Sequence, residues 1–502
     1  MAETGKEQPW DAGLRGVIIL AVLTTTFISI INIHRFVANY NLHDLFIFES
    51  SFWNTIHGRM FWNFYEFGNH LGVHFSPGLI LLLPFYAMYQ SPLTLLFLQS
   101  AAVGASVVPL YLLGRGMIRH SCAAFLICCA YVLYAPTLGA AFSGFHETLF
   151  VPPFLFLMLL AHERGEGRLY WFSLVMVLVW KETMGLLILF WGLGLVLRKD
   201  TRRKGYMTIL AGGLWLLWTF LILMPLLRGI PVSQSLLQYR FPGDIGHSPT
   251  EIIRNFFTNP EVFVRHIIKP EKMAYFLKLS APLLLLPLGS PSALLPALPQ
   301  LGENLLAARL DGINLMKHYT APVIPLFFYA LLGTLFQFRK HAERLNRVPD
   351  KILNLTAILV LAGALVGMLF SEVFPHVILG RRDANERLHY LSPSEMADVR
   401  EMRLRIPAEA DLAVSGHLAK HFARRRVISY VSRSFLLLYP FEHILYYAAK
   451  SEQDLFQRHP ELEEMIATQY EIVERRGRIT HYKRRNVRMP PEQKELYDAV
   501  PR

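Results

Sequence analysis

The sequence predicts an α-helical polytopic membrane protein of about eleven transmembrane helices, with interfacial helices in the first outer loop and a small C-terminal α/β extracytoplasmic domain. Three observations carry that prediction. Hydrophobic residues make up 53% of the 502, and the mean hydropathy is +0.31. Charged residues are only 18%, where a soluble chain carries roughly 25%. The net charge of +12 is broken into short clusters between apolar runs, which is how membrane topology is encoded and not how nucleic acid is bound. The same composition excludes disordered, collagenous and coiled-coil chains. Cys122, Cys128 and Cys129 share one apolar run, so no disulfide framework or thiolate metal site is available.

Taken in order, the apolar run starting near Gly13 is too long for the core of a signal peptide and reads as a retained span at 14 to 33. Leu45, Phe48, Phe52 and Ile56 then repeat at helical spacing beside Trp53, Phe61, Trp62, Phe64 and Tyr65, which describes one or two amphipathic helices lying in the interface. Phe75 to Met88, interrupted by Pro77 and Pro84, is too short to cross and reads as a helix along the outer interface. Further spans are expected at 93 to 114, 120 to 140, 148 to 163, 168 to 181, 183 to 198, 206 to 228, 274 to 289, 292 to 307, 319 to 338 and 353 to 373. A second outer loop, Arg228 to about Lys272, contains Gln234, Tyr239, Arg240, Asp244 and His247 and is expected to hold some helix. In the tail, β-prone stretches (Leu412 to Ser415, Arg426 to Val431, His443 to Tyr447, Tyr470 to Glu474, Ile479 to Tyr482) alternate with helical ones such as Pro393 to Arg405. The expected domains are therefore 1–374, transmembrane, and 375–502, soluble.

Orientation follows from the basic loops. Arg115 with Arg119, His162 to Arg168, Arg198 to Lys204 and Arg339 to Lys351 all fall on one side, the cytoplasmic one. The N-terminus is then inside a cytoplasmic (inner) membrane and the tail outside. Basic clusters in that tail, Arg424 to Arg426 and Arg475 to Arg485, would lie near anionic lipid heads or a phosphate-bearing substrate.

The same assignment brings a set of polar residues to the outer face, where ionisable groups at span ends are costly and tend to be functional. Asp44 opens the first interfacial helix, either as a simple N-cap or as a general base or metal ligand at the lipid boundary. His146-Glu147 follows Gly144 at a span end; it is either a helix start or a pair of ligands for a divalent cation. Lys181-Glu182 interrupts a long apolar run, as a turn whose two charges pair with each other or as a phosphate-binding point charge. His74, ahead of Pro77, and His318-Tyr319 are further outer-face positions, each weak alone, and Glu303-Asn304 adds a polar pair at another span end.

Several strings carry a resemblance. Asp44, Phe48, Trp53-Asn54, His57-Gly58, His74-Phe75-Ser76-Pro77, Pro84, Ser91-Pro92 and Pro109-Leu110-Tyr111 resemble an uncharacterised family of prokaryotic multi-spanning membrane proteins. Phe145-His146, Lys181-Glu182, Pro299 with Asn304-Leu305-Leu306, His318-Tyr319 with Pro325, and Ile406-Pro407-Ala408 are similar to its later motifs. That family in turn resembles the GT-C superfamily of membrane glycosyltransferases, which take a sugar from a polyprenyl-phosphate-linked donor on the outer face. The resemblance implies Asp44 as catalytic residue and His74 near donor phosphate; Lys181, Glu182, Glu303, His318 and Tyr319, placed at the outer face beside them, are the expected substrate-binding residues. It also implies His146 and Glu147 as a site for a divalent ion (Mg or Mn), with a polyprenyl-phosphate-linked sugar and membrane lipid as partners and no nucleic acid. No acidic pair stands at Asp44 and no Trp-Trp-Asp string is present, so protein N-glycosylation is not implied. A transporter or flippase of a lipid-linked substrate and a non-catalytic scaffold are the competing readings.

Overall fold

A computed structural model describes residues 12–500, except 41, 43, 229–239, 383–386, 388–389, 449–454, 456–458, 487–488 and 490. Asn41, His43, Gln234 and Tyr239 lie outside the described residues. The chain is mostly helical and forms two compact units: Met1–Ile30, His74–Leu79 and Phe97–Leu379 make one, and Ile31–Val73, Ile80–Leu96 and Gly380–Arg502 the other.

Four helices in the described residues are long and apolar enough to cross a membrane: Gly13–Val37, Pro92–Ile118, Arg202–Arg228 and Pro349–Leu369. Ser121–Leu133 and Ala135–Ala141, bent by 49° where Pro136 interrupts the ladder, make a fifth if the two are taken as one span. Their outward faces are apolar and uncovered, as at Ile19, Val22, Leu23, Leu217, Trp218 and Leu221, a surface suited to lipid and not to water. Other expected spans are shorter. Gly167–Leu178 and Met184–Val196 are 12 and 13 residues long, separated by the turn that carries Lys181 and Glu182. The runs expected at 274 to 289 and 292 to 307 are split into short helices and 3-10 turns at Ala281–Leu283, Leu286–Gly289, Pro291–Leu294 and Leu295–Ala297. Prolines 282, 287, 291, 296 and 299 explain the breaks, since each removes an N–H and clashes with the preceding turn.

Glycines set the tightest helix pairing of the first unit. Met184–Val196 lies against Arg202–Trp218 with Gly185 facing Gly212 and Gly192 facing Gly205. A Cβ on Gly212 would sit 2.7 Å from the Gly185 carbonyl oxygen, and one on Gly192 would sit 2.8 Å from the Ile209 nitrogen. The backbones touch because the side chains are absent, the device by which apolar helices pack closely in lipid.

The second unit is built on a five-stranded sheet ordered β4-β3-β5-β7-β6, with β3 Leu412–Val414, β4 Ile428–Tyr430, β5 His443–Tyr447, β6 Tyr470–Arg476 and β7 Ile479–Arg484; Trp62–Asn63 and Gly68–Asn69, β1 and β2, form a small separate hairpin. β3 pairs parallel with β4 and β5, while β7 pairs antiparallel with β5 and β6. Helix Pro393–Arg405 starts on a capping box of Ser392 and Glu395 and packs Met396, Val399 and Met402 on the sheet. Helix Leu45–Ile56 belongs to this same unit. Its Phe46 is fully buried among Leu412, Val414 and Tyr430, so part of the apolar face expected in the interface is spent on the sheet core. Three successive arginines divide their work there. Arg425 is buried and donates to the carbonyls of Ile406 and Pro407, Arg426 holds Asp411 at 3.0 Å, and Arg424 reaches the Gln90 carbonyl at 2.7 Å.

Candidate functional site

The site in the first unit grows out of helix ends. Gly144, at φ +106, takes a backbone conformation that side chains disfavour and turns the chain sharply ahead of His146. Gln99 fixes that turn: its amide donates to the carbonyls of Ala141 at 3.2 Å and Gly144 at 2.7 Å, and its oxygen accepts the His146 backbone N–H at 2.7 Å. Glu147 then enters the 3-10 turn Glu147–Phe150 with its carboxylate buried. Between Leu178 and Met184 a second break presents Lys181 and Glu182, both buried. A third segment, His74–Leu79, docks on that break through Gly78, whose N–H donates to Val179 at 2.8 Å and whose missing side chain leaves room for the Trp180 ring.

These segments bring charges together. The Lys181 ammonium meets Glu147 Oε1 at 2.6 Å, and His74 Nδ1 stands 3.3 Å from Glu182 Oε1. Burial pushes the Glu147 carboxyl up, but Lys181, with His74 and His146, overcomes it and holds the group well below the usual carboxylate range, at about 2. Glu182 is lowered in the same way, with Lys181 and then His74 outweighing burial. Lys181 is disfavoured by burial, yet the two carboxylates Glu147 and Glu182 raise its pKa and keep it charged.

The network continues across the 3-10 turn His318–Thr320. His146 and His318 stack with ring centroids 3.5 Å apart, and His318 lies 4.2 Å from the Tyr319 ring. Burial, with His146 and Lys181, drives the His318 pKa well down, so this imidazole is neutral. Asn304 anchors the turn by donating to the Tyr319 carbonyl at 3.3 Å and to the Tyr275 hydroxyl at 3.0 Å. Arg240 closes the far side. It forms an ion pair with Glu303, lies 5.9 Å over the Tyr319 ring, and is held in place by its carbonyl accepting the Ala308 N–H at 2.9 Å. Burial opposes the Arg240 charge, and Glu303, Tyr319 and Glu182 more than offset it.

Eight of the expected site residues, His74, His146, Glu147, Lys181, Glu182, Glu303, His318 and Tyr319, therefore fall within one unit and, with Arg240, form one chain of contacts. Arg240 was visible in the sequence only as one basic residue in a mixed loop; its pairing with Glu303 emerges from the fold. Buried polar atoms cluster around the network without hydrogen-bond partners: Glu182 Oε2, His318 Nδ1, Thr148 Oγ1, Trp180 Nε1 and Thr183 Oγ1. Such groups are costly to bury unless something polar satisfies them.

A divalent ion does not fit the donors offered by His146 and Glu147. Glu147 is neutralised by an ammonium, the His146 ring lies flat on His318, and among the described residues no group of three or more His, Cys, Asp or Glu is arranged to hold a metal. Asp44 lies in the second unit, at the N-terminal boundary of helix Leu45–Ile56, where its side chain makes no capping hydrogen bond. Its charge acts instead on Tyr65 and Tyr430, adding to burial in raising both phenols.

No curated protein matches the chain. The match that does appear runs over residues 37–477 and takes in the site residues of both units. The chain belongs to the family described as "Predicted membrane protein (DUF2079)".

Proposed function

We propose that the protein is an integral-membrane glycosyltransferase that moves a sugar from a polyprenyl-phosphate-linked donor to an envelope or lipid acceptor on the outer face of the cytoplasmic membrane. In this reading the shorter helices, together with the proline-broken segments between 274 and 307, complete an eleven-span GT-C-like arrangement beside the long spans. The observation that carries it is the buried network of Lys181, Glu147, His74, Glu182 and Arg240, surrounded by unsatisfied polar atoms in loops at helix ends. A buried lysine kept charged, with an arginine and a histidine nearby, is suited to a phosphate leaving group, because charges in a water-poor site act strongly on developing negative charge.

The reaction is an inverting transfer. The acceptor hydroxyl oxygen bonds to the anomeric carbon as the bond from that carbon to the donor phosphate breaks, and the leaving polyprenyl phosphate takes the electron pair. The hydroxyl proton passes to the Asp44 carboxylate. Lys181, His74 and Arg240 stabilise the phosphate, Glu182 and Glu303 accept hydrogen bonds from sugar hydroxyls, and His318 with Tyr319 offers ring faces to the sugar. No step requires a metal ion.

The test is reconstitution of the purified protein in liposomes with a panel of polyprenyl-phosphate sugars and a lipid extract as acceptor, beside mass spectrometry of lipid-linked sugars in a deletion strain. Accumulation of one lipid-linked sugar in the deletion strain, with transfer restored by the protein and abolished by Asp44→Asn, supports the reading. Full transfer by Asp44→Asn sinks the assignment of the base. Movement of an intact lipid-linked sugar across the bilayer without transfer replaces the enzyme with a flippase.

A further inference from the structure

The second unit contains a cavity of about 230 Å³, separate from the network just described and lined by groups no part of the transfer reaction uses. At roughly 30 Å³ per water it has room for a phosphate group with its immediate substituents. Its polar lining is Arg403, Lys420, His421 and Arg424, with Glu49 at the wall.

The chemistry of these groups points one way. Arg403 comes from the exposed face of helix Pro393–Arg405, and its guanidinium is lowered in pKa by burial and by the charges of Arg424 and Arg400, so like charges are crowded at the mouth. Lys420 is buried and directs its ammonium protons to Asn39 Oδ1 at 2.6 Å, the Tyr40 carbonyl at 3.0 Å and the His417 carbonyl at 2.8 Å, three acceptors that fix its position. Glu49 is fully buried. It accepts from the Tyr86 hydroxyl at 2.9 Å through Oε1, while Oε2 has no hydrogen-bond partner. Burial, only partly countered by Tyr86 and Arg424, lifts the Glu49 carboxyl to about 8, so at neutral pH it carries a proton. Arg424 Nε stands 4.0 Å from Glu49 Oε1, and a carboxyl that keeps its proton at that distance leaves the positive charge of Arg403 and Arg424 uncancelled.

The position of the cavity identifies the source of the anion. Phe36, in the last turn of the long apolar helix Gly13–Val37, and Pro92, the first residue of Pro92–Ile118, both line it. Two span ends that share one cavity lie at the same membrane surface, at headgroup depth. The flanking segment exposes Phe85, Met88 and Tyr89, an apolar rim on which acyl chains can rest.

We propose that this cavity binds a phosphate group, presented by a lipid headgroup at the membrane surface and gripped by Arg403 and Arg424, with the buried Lys420 contributing its charge and no hydrogen bond.

The test uses the full chain in phosphatidylcholine nanodiscs, with either phosphatidic acid added to the bilayer or inorganic phosphate added to the buffer, and native mass spectrometry to count bound lipid. Expected is retention of phosphatidic acid by the wild-type protein and at least tenfold weaker retention by Arg403→Gln/Arg424→Gln, with Arg475→Gln, an exposed arginine on β6, within twofold of wild type. Arg403→Gln alone provides a variant that removes no hydrogen bond of Arg424 to the Gln90 carbonyl, so weakened retention by it is independent of that anchor. Retention of phosphatidic acid that inorganic phosphate does not displace assigns the source to lipid; displacement by millimolar phosphate assigns the site to the phosphate group itself. Equal retention by wild type and by both arginine variants, or an equal loss in Arg475→Gln, overturns the proposal.

Discussion

Lys181→Met tests the buried network most directly. The ammonium lies 2.6 Å from Glu147 Oε1, and at an effective dielectric of about 20 two unit charges at that distance attract by about 6 kcal/mol, from which the cost of desolvating both must be subtracted. Removing the lysine does more than forfeit this attraction. It leaves Glu147 and Glu182 buried together with only the histidines and the charge of Arg240 to answer them, and breaking a buried pair from one side costs about 3–5 kcal/mol. Glu147→Gln should cost less, about 2 kcal/mol, because Lys181 keeps the charge of Glu182. The double variant Lys181→Met/Glu147→Gln should recover part of the loss, since one uncompensated carboxylate is gone. Unfolding in mild detergent, followed by tryptophan fluorescence as denaturing detergent is titrated in, measures all three. The reasoning fails if Glu147→Gln is as damaging as Lys181→Met, or if the double variant shows the plain sum of the two losses.

Three further outcomes follow from the same structure. Gly212→Ala should lower stability because the new methyl meets the Gly185 carbonyl oxygen, whereas its neighbour Gly213→Ala, with open space around it, should be neutral or gain roughly 0.5–1 kcal/mol of helix propensity; detergent unfolding of the two side by side decides it. Glu49 has a folded pKa of about 8 against an ordinary 4.5, so the folded protein holds a proton that the unfolded chain releases between those values. Stability should accordingly be fullest below pH 4.5 for this group and fall as pH rises toward 8, and Glu49→Gln should flatten that part of a stability-versus-pH series. Glu303→Gln should release Arg240 from its ion pair and weaken donor binding, raising KM for a polyprenyl-phosphate sugar more than it lowers kcat, which steady-state kinetics in proteoliposomes would show.

Much of the local structure was legible along the chain. The helical spacing of Leu45, Phe48, Phe52 and Ile56 is realised as Leu45–Ile56, and the β-prone stretches of the tail become β3 to β7 within a residue or two at most ends. Periodicity of two or 3.6 is a property of neighbouring residues, so a sequence carries it openly. Span length was less legible where proline is dense: the apolar runs between 274 and 307 have the composition of two spans, but composition does not count missing backbone donors.

By itself, then, the sequence determined that this is a membrane protein, that its charges stand between apolar runs, and that its ionisable residues collect at helix ends. These properties depend on composition and spacing alone. Only the tertiary structure decided the partnerships. Lys181 and Glu182 are adjacent and invite a pair, yet Lys181 turns to Glu147 and Glu182 to His74, because side chains leaving one turn diverge and meet what packs against them. The cluster Arg424 to Arg426 reads as one basic surface, yet one arginine satisfies buried carbonyls, one holds Asp411 and only Arg424 turns to the cavity, since successive residues point to different sides of the chain.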